Sequence, residues 1–565
     1  MYNNMPQGNQ PPRRPDSPLR WILLFTAIAL IVGVSVFGVV YFGVFKGGSS
    51  TPTAGTQTAL TPIIPSGTTI TADFNSRQNH SYPIPSTLFG FNGLKKTNSS
   101  NTIFNYLKQA HLNLARIGVD VPTTFPTAAS MTDPAQQQWT DLDQQMTIVQ
   151  SRGMQPIVTI AYTPSWLQPQ TTPCASSTST SHVMPTLIQN GANDGVIKWG
   201  ALAAQIVAHV DQKFPGVHPK YEIWNEPDGV TFLCVPNTAQ AEQTRLQQYE
   251  SIYVAAASQM KQQAQRDNTQ INVGGPALSF PRGHAKMWIT ALVNNAAVAQ
   301  YLDFVSYHHY LYPGSKDTWD SLLARTQNGQ IGVAAEYEQI AAIVHAGKQP
   351  HPQSTPIYID EYNTNTGPAD CCRLDKTYAP LWNALFVADL LNTVVDTHSP
   401  NGAAQTVVGG LAYFSIAQPP PSDRFCMFGT INSGMDCSLN ANIQPYPQYY
   451  TYQLLGDSRY LDITNGGYVI PSSSTDKSLV VSSFYTSTKD NVVIINTSSK
   501  SYSALGVLLQ TPGSIQTTGS VYTLDQDHSQ IGSGQVGLIS TANGYEAGVT
   551  VPAYSVVAIS VNTTK

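Results

Sequence analysis

The sequence predicts an α/β protein: a (β/α)8 TIM barrel, followed by a C-terminal all-β sandwich and preceded by one N-terminal transmembrane helix. Three observations carry this prediction. Strand-like and helix-like runs alternate eight times between Ser86 and Gly456, short apolar runs separated by turn residues fill the remainder, and Trp21 to Phe45 holds no charge. With 565 residues, 41% of them apolar, the chain is long enough for one large domain and a smaller one.

The N-terminal segment WILLFTAIALIVGVSVFGVVYFGVF spans roughly 37 Å as a helix, enough to cross a bilayer with some tilt. Arg13, Arg14 and Arg20 precede it and only Lys46 follows closely. That asymmetry places residues 1–20 in the cytoplasm as a tail, 21–45 in the cell membrane as a single pass, and the rest outside. A cleaved signal peptide is the competing reading, although its apolar region is ordinarily shorter. Residues 46–70 are rich in Gly, Ser, Thr and Pro and read as a flexible tether.

Residues 71–456 are assigned to the barrel. Its strands are expected in STLFGFNG, LNLARIG, MQPIVTIAY, YEIWN, INVGGPAL, LDFVSYHHY, STPIYIDE and TVVGGLAYFSI. A helix follows each one. The helix after the second strand is expected to start at Asp133-Pro134. After the third, Trp199, Leu202, Ile206 and Val210 recur on one helical face. The strands are β-branched or aromatic, as strands covered on both faces are. Eight consecutive units favour a closed barrel over a doubly wound open sheet. The loops after strands three, six and eight are expected to be enlarged. Residues 457–565 form the sandwich, and ITADFNSRQNHSYPIP, just before the first barrel strand, is a candidate to add a strand to it.

Composition narrows the function. Charged residues are 11% of the chain, well under the roughly 25% of ordinary soluble domains. The net charge is −5 with no basic block past the N-terminal tail, so no nucleic-acid partner is expected. No C-x-x-C, H-E-x-x-H or dinucleotide fingerprint appears, so neither a metal nor another cofactor is implied. All 6 cysteines follow the apolar segment, where disulfides are permitted. Cys174–Cys234 is the favoured pair and Cys426–Cys437 the second, while adjacent Cys371 and Cys372 stay open between a vicinal bridge and free thiols.

Two strand ends carry the chemistry. Tyr221-Glu222-Ile223-Trp224-Asn225-Glu226-Pro227 and Pro356-Ile357-Tyr358-Ile359-Asp360-Glu361-Tyr362-Asn363 are apolar strands that end in carboxylates. In a barrel the C-terminal strand ends face the active site, so Glu226 on strand four and Glu361 on strand seven meet across its mouth. Glycosidic cleavage needs such a pair: one acid protonates the leaving oxygen while the other carboxylate acts at the sugar carbon. Alternation along the strand turns Asp360 away from Glu361, as a structural partner. Protonation of Glu226 is expected from a neighbouring negative charge and partial desolvation.

These strand ends resemble glycoside hydrolase clan A, the retaining barrel glycosidases, and most of all family 39, which includes β-xylosidases and α-L-iduronidases with an accessory β-sandwich. The resemblance covers roughly residues 75–560. It implies Glu226 as acid/base, Glu361 as nucleophile and Asn225 beside the sugar 2-hydroxyl. It also implies that Tyr310, in the His-x-Tyr of His308 to Tyr310, hydrogen-bonds the nucleophile and that Arg116 supports it. Tyr162, Trp166, Trp224, Tyr307 and Tyr413 lie near strand ends as candidate sugar platforms, and Asp120 is a candidate for a sugar hydroxyl. His309 reads as outward or structural. The expected function is hydrolysis of cell-surface or extracellular oligo- or polysaccharide by double displacement. An inactive carbohydrate-binding or cell-wall protein on the same barrel, or a transglycosylase, is the alternative.

Overall fold

The computed structural model describes residues 62–94, 101–169, 181–186, 188–189, 192–235, 240–279, 285–312, 333–365, 377–396, 407–416, 426–431, 435–436, 443–528 and 530–563. The expected membrane helix, most of the tether, and Cys174, Cys371, Cys372 and Cys437 lie outside them. No helix among the described residues is long and apolar enough to cross a membrane.

Eight parallel strands close into a barrel in chain order: Phe89–Asn92, Leu114–Asp120, Gln155–Ala161, Lys220–Ile223, Asn272–Leu278, Phe304–Tyr312, Pro356–Asn365 and Val407–Tyr413. Each expected strand run overlaps one of them. Inward-facing residues of successive strands stack in layers. The lowest is apolar: Leu114, Ile157, Phe304, Tyr358 and Ala412 form a cluster of their own. Gly274 is required at this level, because a Cβ there would lie 2.4 Å from the Phe304 carbonyl oxygen. Two residues further along strands two, three, four, six and seven, the inward layer turns polar, with Arg116, Thr159, Glu222, Ser306 and Asp360 all buried.

Helices cover the outside of the barrel. Asp194–Lys213 buries Trp199, Leu202, Ile206 and Val210, the face its spacing predicts. Each such fully buried side chain contributes about 1.5–3 kcal/mol. One boundary differs from expectation. Asp133-Pro134 opens only a short 3-10 turn, and the helix proper is Thr140–Arg152. The intervening glutamines hold the loop instead: Gln137 Nε2 donates to Ser130 O at 2.9 Å and Gln138 N to Thr124 O at 3.0 Å. Gly153, at φ 64°, ends that helix in the left-handed conformation.

The C-terminal region is one curled 11-stranded sheet rather than two separate sheets. Gly532–Thr541 makes it continuous: Gly532 to Gly537 pair with Thr518–Leu524, and Leu538 to Thr541 pair with Gly544–Val551. A strand long enough to bend between two partners removes the gap that two sheets would need. The two halves bury Ile70, Val507 and Val549 against Val481, Ile494 and Ile559. Alternate residues of the second half, including Val480, Ile495, Val556 and Ala558, join the main core beneath the barrel helices. Asn392 Nδ2, on helix Tyr378–Asp396, donates to Val481 O at 2.7 Å across that seam. The stretch before the barrel contributes two strands to the sheet, Thr68–Asp73 and Tyr82–Pro83, so it belongs there although the 71–456 boundary assigns most of it to the barrel.

Candidate active site

At the C-terminal strand ends the chain reaches the site through unusual backbone. Trp224 and Glu226 have φ of 71° and 50°, a region costing non-glycine residues about 1–3 kcal/mol. Neighbouring strands hold them there. Trp224 N donates to Ile160 O and Glu226 N to Ala277 O, both at 2.9 Å, and Trp224 Nε1 donates to Phe232 O at 2.9 Å. The indole is thereby fully buried in the core, which removes Trp224 as a sugar platform. Tyr307 and Tyr413 are likewise core residues.

Glu226 and Glu361 come together as expected. One oxygen of each carboxylate and one nitrogen of His308 all lie within 4.8 Å of one another. So close an approach is in keeping with the ~5–5.5 Å between carboxyls that act by double displacement. Glu361 Oε1 accepts from the Tyr310 hydroxyl, and Oε2 from Arg116 Nη1 at 3.1 Å. Burial raises the Tyr310 phenol well above its ordinary range, so it stays a donor.

Burial also raises Glu226, to about 7, with Arg116 opposing. The expected cause was a neighbouring negative charge together with desolvation. Desolvation alone raises it: the carboxyl is only 13% exposed, and the charge that acts on it, Arg116, pulls the other way. His308 Nδ1 is 2.8 Å from Glu226 Oε1, and its Nε2 lies 3.7 Å from Glu361 Oε2 and 3.9 Å from Asp360 Oδ1. Burial lowers the pKa of His308, so the ring is neutral. Two carboxyl oxygens near Nε2 favour the proton there, which leaves Nδ1 to accept from the acid form of Glu226. Glu226, His308 and Glu361 are also the one group among the described residues whose atoms could surround a cation. The hydrogen bond between Glu226 and His308, and those from Tyr310 and Arg116 to Glu361, already occupy that geometry.

Arg116 is the hub. Its Nε donates to Glu222 Oε2 at 2.9 Å and lies 3.0 Å from Asp360 Oδ2; Nη2 reaches Glu222 Oε2 at 2.7 Å and Asn225 Oδ1 at 2.8 Å. Its Nη1 also donates to Asn92 Oδ1 at 3.3 Å. Asp360 therefore does not turn away from Glu361. The register shifts between Ile359 and Tyr362, and again between Tyr307 and His308 on the adjacent strand. Such a bulge suspends strict alternation and lets consecutive residues face one side. Asp360 keeps the inward phase of Tyr358, and Glu361 is brought inward beside it.

The remaining candidates separate. Tyr162 accepts at its hydroxyl from Asn225 Nδ2 at 3.3 Å, so it belongs to this cluster. Trp166 donates its Nε1 to Phe125 O at 2.9 Å, and Asp120 accepts from Thr123 at the end of strand two. No contact links either one to the carboxylates among the described residues. His309 bonds Glu336 at 2.8 Å, consistent with a structural residue. The sequence reading missed Glu222 and Asn92. A lone acid inside the apolar run YEIW was the available signal for Glu222. Cys234 and Cys426 are disulfide-bonded, and the partners expected for them lie outside the described residues.

Comparison with known proteins follows the same direction. Among solved structures, the monomeric beta-xylosidase from Caulobacter crescentus CB15 is similar over 88% of this chain and 100% of its own, at 13% identity and TM-score 0.57. The GH39 enzyme from Xanthomonas axonopodis pv. citri covers 90% of this chain and 99% of its own, at 15% identity and TM-score 0.56. The catalytic domain of GH30 xylanase C from Talaromyces cellulolyticus covers 88% and 100%, at 14% identity and TM-score 0.55. At such identities these likenesses speak for the fold alone. No curated protein sequence matches the chain. The sequence model described as "Glycosyl hydrolases family 39" matches residues 100–406, more than half of the chain, from the helix after strand one to the threshold of strand eight. With that match and a carboxylate pair at the mouth of an eight-stranded barrel, this chain belongs to glycosyl hydrolase family 39.

Proposed function

We propose that the chain hydrolyses cell-surface or extracellular oligo- or polysaccharide with retention, Glu226 serving as acid/base and Glu361 as nucleophile. The observation that carries this reading is the approach of the two carboxyls, one oxygen of each within 4.8 Å of the other, with Glu226 raised by burial to about 7 and Glu361 fixed by Tyr310 and Arg116. In the first half-reaction Glu361 attacks the anomeric carbon while Glu226 gives its proton to the leaving oxygen. Glycosylation neutralises Glu361, and Glu226, now ionised, takes a proton from the water that releases the sugar. Asn225, held by Arg116 and Tyr162, meets the sugar 2-hydroxyl in this reading.

A panel of aryl glycosides, read by liberated phenol, tests activity and sugar identity together. The name of the Caulobacter structure puts an aryl β-xyloside first on the panel. Release from at least one sugar is expected, and silence across the whole panel would leave carbohydrate binding as the reading.

The uncharged segment from Trp21 to Phe45 and the arginines before it support a membrane-anchored enzyme with its barrel outside the cell. Protease added to intact cells is expected to release a soluble active fragment that starts within residues 47–75. Protection until the membrane is permeabilised would reverse the orientation.

A further inference from the structure

We propose that Asp360 is a neutral acid whose single proton lies between it and Glu222, and that this pair is a positioning element that fixes Arg116 against Glu361. The inference rests on the reading of Glu361 as nucleophile only for its consequence, not for the shared proton itself. Both side chains are fully buried, Glu222 from strand four and Asp360 from strand seven, and both crowd one nitrogen: Arg116 Nε lies 2.9 Å from Glu222 Oε2 and 3.0 Å from Asp360 Oδ2. With Glu361 at Nη1, three carboxyls then share a single guanidinium, and two fully buried carboxylates on one Nε repel unless a proton sits on one of them, since carboxylates are acceptors only. The surrounding donors do not remove this need. Arg116 Nε and Nη2 and the Thr159 hydroxyl all converge on Glu222 Oε2, at 2.9, 2.7 and 2.8 Å. Among the described residues, Glu222 Oε1 and both carboxyl oxygens of Asp360 accept no hydrogen bond. Asn92 Nδ2 passes over the Asp360 carboxyl to its backbone oxygen, at 2.9 Å.

Charge decides which partner holds the proton. The charged and titratable groups facing the pair are Arg116 on strand two, Glu361 on strand seven, His308 and Tyr307 on strand six, and Tyr249 on the helix after strand four. Arg116 makes two hydrogen bonds to Glu222 and a single contact, at 3.0 Å, to Asp360. For Glu222, burial raises the carboxyl, but Arg116, helped by Asp360 and Ser306, outweighs it and holds it below the usual range. For Asp360, burial followed by the Glu222 charge pushes the carboxyl well up. The pair then carries one negative charge, which Arg116 offsets, while Nη1 and the outer edge of Nη2 remain directed at Glu361 and Asn225. A second full charge at Asp360 would compete with Glu361 for the same guanidinium.

Infrared difference spectroscopy of the whole protein, without substrate, reads this directly. At alkaline pH, where Glu226 has ionised, a protonated-carboxyl band is expected to persist and to shift when aspartate carries 13C in its side-chain carboxyl. Absence of the band, or a shift with labelled glutamate instead, would overturn the proposal. Because the labelled wild-type chain suffices, the result does not depend on whether a variant folds or whether any glycoside is cleaved. The positioning role is read by Asp360→Asn, which keeps the neutral charge and a donor. It is expected to lower kcat/KM several-fold and leave the alkaline limb of the pH profile in place. A downward shift of that limb by about one pH unit would mean that an ionised Asp360 had been raising Glu226, and would sink the neutral-acid assignment. Loss of the limb in Glu226→Gln, with the infrared band retained, separates the two readings.

Discussion

Glu361→Ala is expected to lower kcat by on the order of 10⁵-fold, since no other carboxylate among the described residues at the barrel mouth stands where Glu361 does, held by Tyr310 and Arg116. Its carboxylate is held by two donors from different strands, Tyr310 Oη on one oxygen and Arg116 Nη1 on the other. That arrangement aims the carboxylate and costs no reorganisation when charge leaves it. Asp360, although it is adjacent and shares Arg116, does not substitute for it, because it lies in the buried layer below. A 2-deoxy-2-fluoro aryl glycoside of the cleaved sugar is expected to accumulate as a covalent adduct. Fluorine destabilises both oxocarbenium-like transition states, while a good leaving group still permits the first. Mass mapping should find the sugar on the peptide holding Ile357 to Asn363, at Glu361. Proton NMR of the first-formed product, read before mutarotation, should show retention. An inverted product would make Glu361 a base acting on water, even if its loss abolished activity.

The fold was legible because its signals are local. Each barrel strand is a short β-branched or aromatic run, and each helix shows its buried stripe, as Trp199, Leu202, Ile206 and Val210 do. The two strand-end carboxylates were legible for the same reason: a charge after a buried strand has few places to go. Other features depend on what neighbours impose. The inward turn of Glu361 beside Asp360 follows from a register shift between two strands, which alternation within one strand does not encode. The late start of the helix at Thr140 follows from glutamines that bond to a distant loop and helix, Gln137 reaching Gln205 at 2.8 Å. Trp166 read as a platform because it is aromatic and near a strand end, yet its indole donates to the Phe125 carbonyl. The single curled sheet depends on one strand, Gly532–Thr541, taking two different partners along its length.

Glu226→Gln is expected to divide substrates by leaving group. Glycosides with poor leaving groups need the proton and should lose about 10²–10⁴-fold in kcat/KM, the usual worth of a positioned general acid. Activated aryl glycosides should keep most of their first step and stall at the second, where azide is expected to restore turnover by attacking without a general base. The pH profile gives the same answer in another form. Glu226 acts as an acid only while protonated, and burial raises it to about 7. For poor leaving groups kcat/KM should therefore fall as pH rises through about 7, and the limb should vanish in the variant. Stability offers a check without substrate. A carboxyl raised in the folded state favours folding below its unfolded value, and that contribution is lost as pH climbs from the ordinary 4.5 through about 7. Glu226→Gln carries no such charge, so it should unfold at a higher temperature than the parent at alkaline pH, by an amount on the order of 2–3 kcal/mol, and lose that advantage in acid. Equal rate losses across all leaving groups, no azide rescue and no pH-dependent change in stability would together remove Glu226 from the acid/base role. The raised value then would reflect a buried carboxyl with no part in proton transfer.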